Sequence, residues 1–240
     1  MAMDMTIFLV GMVVFLAVFT QSLSGFGVAL VAMALLPALI GIKVATPLVA
    51  IVALVLEVVL VTRYRKSIEF RAVWHIALAA VVGTPLGVIF LTRVDENVAL
   101  AVLGLVIAGY ALYALLGLKM PRIENSLWAY LAGLLGGMLG GAYNTSGPPV
   151  IVYADCRRWP PNVFKGNLQG YFIIVSLAVA TSHALNGNFT PQVWNMFFWT
   201  LPFLTVGIVD GLSLDRWLNP ELFRRVVLVL LILMGIRLIF

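Results

Sequence analysis

Small polar residues and helix-breaking residues interrupt an otherwise apolar chain at two places. The first interruption reads QSLSGFG (Gln21–Gly27), and the second begins with YNTSGPP (Tyr143–Pro149). Glycine and paired prolines end a helix. The neighbouring hydroxyl and amide groups donate hydrogen bonds without carrying a fixed charge. These residue types suit the binding of a small anion that must also be released.

Each interruption also predicts the start of a new helix. Ser146 is placed to cap a helix whose first turn accepts Pro148, where the missing N–H is no loss. Ser24 is expected to cap the helix that opens at Gly25-Phe26-Gly27, where glycine lets the backbone approach a ligand closely. A helix N-terminus carries unpaired N–H groups and about half a positive charge, so two such starts predict an anion site made from backbone.

The candidate substrate-binding residues lie in the two interruptions and at the start of one later apolar span. They are Gln21, Ser22, Ser24, Gly25, Phe26, Gly27, Asn144, Thr145, Ser146, Gly147, Pro148, Asn167 and Gln169. For Asn167 and Gln169, lining the site and a plain helix-start role are both open.

The composition indicates an integral membrane protein. The chain has 240 residues, of which 62% are hydrophobic and 10% charged, and its mean hydropathy is +1.08. A soluble domain of this size needs more charge on its surface.

No basic region precedes the first apolar run, which argues against a cleaved signal peptide. The single cysteine, Cys156, excludes an intramolecular disulfide. No metal-ligand spacing is present, so no metal or other cofactor is expected.

Apolar segments divide the chain into two similar halves. Each half begins with an interrupted apolar segment, at 5–41 in the first half and at 127–154 in the second. Three uninterrupted spans follow each of these segments. These spans are expected at about 44–62, 70–91, 96–117, 163–185, 192–213 and 221–240. Paired interrupted segments are typical of transporters built from internal repeats. We therefore expect a first repeat at 1–118, a cytoplasmic linker at 119–126 and a second repeat at 127–240.

Basic residues predict how the chain crosses the membrane, because lysine and arginine favour cytoplasmic loops. The informative ones are Arg63, Arg65, Lys66, Arg71, Lys119, Arg122, Arg157, Arg158, Lys165, Arg216, Arg224 and Arg225. Their loops all lie inside only if the segment at 127–154 enters the membrane and returns to the same side. We therefore predict an all-α integral membrane protein of two inverted repeats, each a broken helical hairpin followed by three transmembrane helices. Both termini are then external.

Three charged residues have two interpretations each. Glu57 lies inside the second apolar segment, where it is either a proton-coupling residue or a residue that snorkels toward the cytoplasm. Lys43 and Lys165 stand at span edges, where they either attract anions into a vestibule or only anchor the spans at the interface. The net charge of +5 is attributed to topology, so no nucleic-acid partner is expected.

Two stretches, SLSGFGVALVAMALLP and GGAYNTSGPPVIVY, resemble the sulfite exporter TauE/SafE family. This resemblance implies secondary transport, often export, of sulfur-containing anions such as sulfite or organosulfonates like sulfoacetate. It places the protein in the bacterial cytoplasmic (inner) membrane. Without the family resemblance, the residues indicate a small-anion transporter with an inverted repeat. An anion channel and a carrier of other anions such as carboxylates remain alternatives. An enzyme is disfavoured because His75 and His183 lie near span ends, away from the interruptions.

Overall fold

The described part of the chain is helical throughout. The computed structural model describes residues 2–118, 121–214 and 220–240, and Lys119 and Arg216 lie outside these ranges. In chain order the described helices are α1 (Ala2–Ser24), α2 (Val28–Ile40), α3 (Ile42–Tyr64), α4 (Phe70–Arg93), α5 (Glu96–Leu116), α6 (Leu127–Tyr143), α7 (Gly147–Arg157), α8 (Pro161–Leu185), α9 (Pro191–Leu214) and α10 (Pro220–Ile239).

The helices begin and end where the sequence carries the appropriate residues. Proline is the first residue of α8, α9 and α10, a position at which its missing N–H is harmless. Asp95 precedes α5 and accepts the Asn97 N–H at 2.9 Å, while Gly117 ends that helix in the left-handed conformation. Six described helices are long and apolar enough to cross a membrane. The predicted all-helical membrane fold and both interruptions are confirmed.

The two helices that follow the interruptions are short. Helix α2 has 13 residues and α7 has 11, which corresponds to lengths of about 20 Å and about 17 Å. The hydrocarbon core of a bilayer is about 30 Å thick, so neither helix crosses it alone.

The chain forms two compact units, and they are not its two halves. The first unit comprises Met1–Val52, Val94–Leu118 and Asn188–Phe240, and the second comprises Ala53–Arg93 and Lys119–Gly187. In the first, α1 packs against α2 and α9, and α5 packs against α10. In the second, α6 packs against α7 and α4, and α4 also packs against α8. Each unit thus joins an interrupted helix pair to a helix from the other half of the sequence. The division into two repeats stays a prediction.

Glycines bring α4 and α6 into backbone contact. A Cβ on Gly83 or Gly87 would run into backbone atoms of α6, and a Cβ on Gly133, Gly137 or Gly141 would run into backbone carbonyls of α4. Small residues at this spacing are how membrane helices approach closely. The second unit therefore has a tightly packed helix pair whose α6 ends at the second interruption.

Candidate functional site

The first break, which we define as Gly25–Gly27 between α1 and α2, depends on two left-handed glycines. Gly25 has a φ of 87° and Gly27 a φ of 113°, values that residues with a Cβ rarely adopt. The Gly25 N–H donates to the Gln21 carbonyl oxygen at 2.7 Å and completes α1. Gly27 then occupies the N-cap position of α2. The glycines predicted at this site are thus required by the backbone conformation itself.

The expected capping of α2 by Ser24 is wrong. The Ser24 hydroxyl lies 2.7 Å from the Thr20 carbonyl oxygen and 2.6 Å from the Phe26 carbonyl oxygen, so it donates to one of them. The cap is supplied by Gln21, whose side-chain oxygen accepts the Val28 N–H at 2.9 Å. A glutamine side chain is long enough to reach across the break, whereas the serine side chain stays on α1. One N–H of the α2 N-terminus is therefore already satisfied by the protein.

Ser22 faces a neighbouring helix in the first unit. It is 1% exposed, and a Cβ on Gly211 of α9 would lie 2.5 Å from the Ser22 Cβ. The absence of a side chain at Gly211 thus makes room for Ser22. Its hydroxyl oxygen is buried without a hydrogen-bond partner among the described residues.

The second break, which we define as Asn144–Ser146 between α6 and α7, ends α6 with a left-handed residue. Asn144 has a φ of 57°, which asparagine tolerates better than most residues. Its N–H donates to the Gly140 carbonyl oxygen at 2.7 Å, and the Thr145 N–H donates to that of Leu139 at 3.3 Å. This pattern closes the C-terminus of a helix from within. The chain then starts α7 at once, as the sequence predicts.

Backbone donors are scarce at the start of α7. Ser146 occupies the N-cap position as expected, but its side chain makes no capping hydrogen bond. Of the first three helical residues, Gly147, Pro148 and Pro149, only Gly147 carries an N–H. The prolines favour the helical backbone and at the same time remove two donors. A site made mainly from backbone N–H groups therefore does not fit the second break.

Side-chain hydroxyls supply the donors that the prolines remove. Thr145 is 1% exposed and Ser146 is 5% exposed. The Thr145 hydroxyl oxygen has no hydrogen-bond partner among the described residues. A buried hydroxyl in this state costs about 1–3 kcal/mol. It lies at the positive end of α7, where an anion is favoured.

Two tyrosines that sequence reasoning did not select lie close to the second break. Tyr143, the last residue of α6, is 1% exposed, and its hydroxyl has no partner within the described ranges. Tyr171 of α8 is equally buried. A Cβ on Gly136 would lie 2.5 Å from the Tyr171 hydroxyl and 3.0 Å from the Ser146 carbonyl oxygen. The position of Tyr143 beside the interruption was an available signal, whereas Tyr171 reaches it only through folding.

The side chain of Asn167 holds a neighbouring chain segment in place. Its side-chain oxygen accepts the Glu69 N–H at 2.7 Å, and a Cβ on the adjacent Gly166 would run into the Ser67 carbonyl. The start of α8 therefore holds the segment between α3 and α4. Gln169 is fully buried on α8. A role for either residue in substrate binding stays a prediction.

The charged candidates lie outside both breaks. Glu57 is 2% exposed on α3, which contradicts a snorkelling carboxylate. Lys43 is exposed near the start of α3, and Lys165 is partly exposed near the start of α8. Among the residues whose placement is described, no group of three or more His, Cys, Asp and Glu side chains is arranged to hold a metal ion.

Residues 10–238 match the family model for the sulfite exporter TauE/SafE. The chain belongs to this family. It is 24% identical over 222 residues to the probable sulfite/organosulfonate exporter TauE of Cupriavidus necator, covering 90% of this chain and 86% of that protein. It is 25% identical over 175 residues to the probable inner membrane transporter protein TsaS of Comamonas testosteroni, covering 72% and 73%. No solved structure matches the chain.

Membership in the TauE/SafE family indicates that this helical membrane protein takes part in transport. TauE/SafE proteins are transporters, and six membrane-length helices make this member a multi-pass membrane protein. The family match confirms the resemblance to the TauE/SafE family that the sequences of the two interrupted segments indicated.

Proposed function

We propose that the protein is a secondary transporter that exports small sulfur-containing anions, either sulfite or organosulfonates such as sulfoacetate, across the bacterial cytoplasmic membrane. The anion-binding groups that we assign lie at the second break, where α7 begins. The names of the two relatives support both the substrate class and the location. An exporter needs donors that bind an anion and also release it, which neutral hydroxyl and amide groups provide.

The observation that carries this proposal is the state of the Thr145 hydroxyl. It is buried, it has no partner among the described residues, and it lies where α7 begins. An oxyanion accepts hydrogen bonds readily and is also favoured by the dipole of the helix. Thr145 is accordingly the first donor that we assign to the anion, with Ser146 and the Gly147 N–H beside it.

Replacement of Thr145 by alanine tests the site. Loss of one hydrogen bond to a charged ligand should weaken sulfite binding about ten- to a hundred-fold. Thr181→Ala is the matched control, because Thr181 lies exposed on α8 in the same unit and donates to the Leu177 carbonyl oxygen. Calorimetry on the purified protein measures both affinities. Unchanged affinity in both Thr145→Ala and Ser146→Ala would refute this placement of the site.

Glu57 is our candidate for proton coupling because it is a carboxyl group buried within a membrane helix. We expect Glu57→Gln to remove the dependence of transport on a proton gradient while exchange of anions continues. Flux into proteoliposomes with and without an imposed pH gradient measures this. Full proton-driven transport by Glu57→Gln would make the residue structural.

A further inference from the structure

Two glycines of α6 make room beside the second break, in addition to the three that contact α4. A Cβ on Gly140 would lie 3.1 Å from the Ser146 Cβ and 3.2 Å from Val175 Cγ1 of α8. A Cβ on Gly136 would lie 2.5 Å from the Tyr171 hydroxyl oxygen and 3.0 Å from the Ser146 carbonyl oxygen. The missing side chains thus let the Tyr171 hydroxyl and the start of α7 meet against α6. All of these residues belong to the second unit.

The hydroxyl of Tyr171 is buried in this space without a hydrogen-bond partner. The residue is 1% exposed, and its oxygen has no partner among the described residues. The Ser146 side chain lies close enough to interact with it, but the two do not reach the geometry of a hydrogen bond. A phenol can donate one hydrogen bond, and a buried polar group that makes none destabilises the fold. The position of Tyr171 therefore favours the binding of an acceptor.

The Thr145 hydroxyl is in the same state and precedes Ser146 in the chain. Two buried hydroxyls without partners thus belong to one place, one from the second break and one from α8. The start of α7, which also lies there, favours negative charge. A bound anion would satisfy both hydroxyls, since an oxyanion has several acceptor atoms and binds hydroxyl donors strongly.

We infer that Tyr171 is a further anion-binding residue, whose hydroxyl donates a hydrogen bond to the anion held at the second break. This inference rests on the proposed function and adds a donor from α8 to those of the break. It also explains why α6 carries glycine at position 136, because a Cβ there would displace the phenol oxygen.

Replacement of Tyr171 by phenylalanine tests the inference, because it removes the hydroxyl and keeps the ring. Loss of a hydrogen bond to a charged ligand should weaken sulfite binding about ten- to a hundred-fold. The melting temperature of the anion-free protein should rise, because a buried hydroxyl without a partner is removed. A tyrosine that only packs would show no loss of affinity, so the two readouts together separate binding from packing.

Tyr153→Phe is the matched control in the same unit. Tyr153 is 7% exposed and lies on α7 about two helical turns beyond Ser146. Its ring meets that of Trp159 edge to face with the centroids 6.0 Å apart. Removal of this hydroxyl should leave the sulfite affinity unchanged.

Calorimetry of the full-length protein with sulfite, together with thermal unfolding in the absence of anion, makes these measurements. An unchanged sulfite affinity in Tyr171→Phe would overturn the inference, and so would an equal loss of affinity in Tyr153→Phe. If Thr145→Ala still weakened binding in that case, the proposed function would stand without Tyr171. Failure of sulfite to bind the wild-type protein would contradict the proposed function and this inference together.

Discussion

At the scale of single residues, the two breaks use similar sequences in different ways. Each contains a Ser-Gly pair, Ser24-Gly25 and Ser146-Gly147, but the two glycines differ in backbone conformation. Gly25 does adopt a left-handed backbone. Gly147 does not: it is the first residue of α7, and a Cβ there would lie 3.5 Å from Phe172 and Ile151. Of these two glycines, Gly25 and Gly147, only Gly25 therefore has a conformational reason to be glycine.

This difference predicts opposite outcomes for two alanine substitutions. Gly25→Ala forces a Cβ into the left-handed region, which costs roughly 1–2 kcal/mol, and it should lower the melting temperature of the purified protein. Gly147→Ala introduces only ordinary contacts and should leave the melting temperature close to that of wild type. Thermal unfolding in detergent measures both. Equal effects of the two substitutions would contradict the described backbone of the breaks.

The details at this scale were only partly predictable from sequence. The pattern of glycine, proline and hydroxyl residues was enough to locate both breaks. It did not show that Gln21 rather than Ser24 reaches the Val28 N–H, because that depends on side-chain length across a turn of unknown geometry. Tyr171 lies far from the interruption in sequence, so no local pattern could place it near Ser146.

At the scale of helices, the spans were predictable within a few residues. Helix length is set by the bilayer, and glycine, proline and asparagine mark the ends. The small residues in the glycine-rich stretch of α6 allow close helix packing. They did not identify α4 as its partner, because small residues allow close approach without specifying the helix that approaches.

Close contact of α4 and α6 predicts a position-dependent effect of alanine. Gly137→Ala would press a methyl group against the backbone of α4 at Ala80 and should destabilise the protein. Gly109→Ala is the control, since a Cβ at Gly109 of α5 meets nothing within 4 Å. It should be neutral or stabilising by up to about 1 kcal/mol, because alanine favours helix more than glycine does. Equal melting temperatures for the two variants would contradict the packing.

At the scale of the whole molecule, the sequence repeats do not correspond to the compact units. Helix α9 of the second half packs on α1, and α4 of the first half packs on α6. The first unit also contains α10 of the second half, so the exchange is not one helix for one, and the division into repeats stays a prediction. Sequence alone could not reveal the exchange, because it involves residues distant in the chain.

The predicted topology follows from the basic loops and stays a prediction. Single cysteines at exposed positions within 63–71 and 157–165 should react only from the cytoplasmic side, and cysteines at either terminus only from outside. The natural Cys156 is 2% exposed and is replaced by serine to provide an unreactive background. Labelling of intact cells with a membrane-impermeant maleimide makes the measurement. Labelling of positions within 157–165 from outside the cell would contradict the prediction that the segment at 127–154 enters the membrane and returns to the same side.

The central claim is that hydroxyl donors at the second break bind a sulfur-containing anion in order to move it across the membrane. Its most direct test is the flux of sulfite out of proteoliposomes as a function of internal sulfite concentration, for wild type, Thr145→Ala and Thr181→Ala. We predict saturable flux, with a half-saturation concentration raised about ten- to a hundred-fold in Thr145→Ala and unchanged in Thr181→Ala. Flux that rises linearly without saturation, or a half-saturation concentration that Thr145→Ala leaves unchanged, would contradict this account.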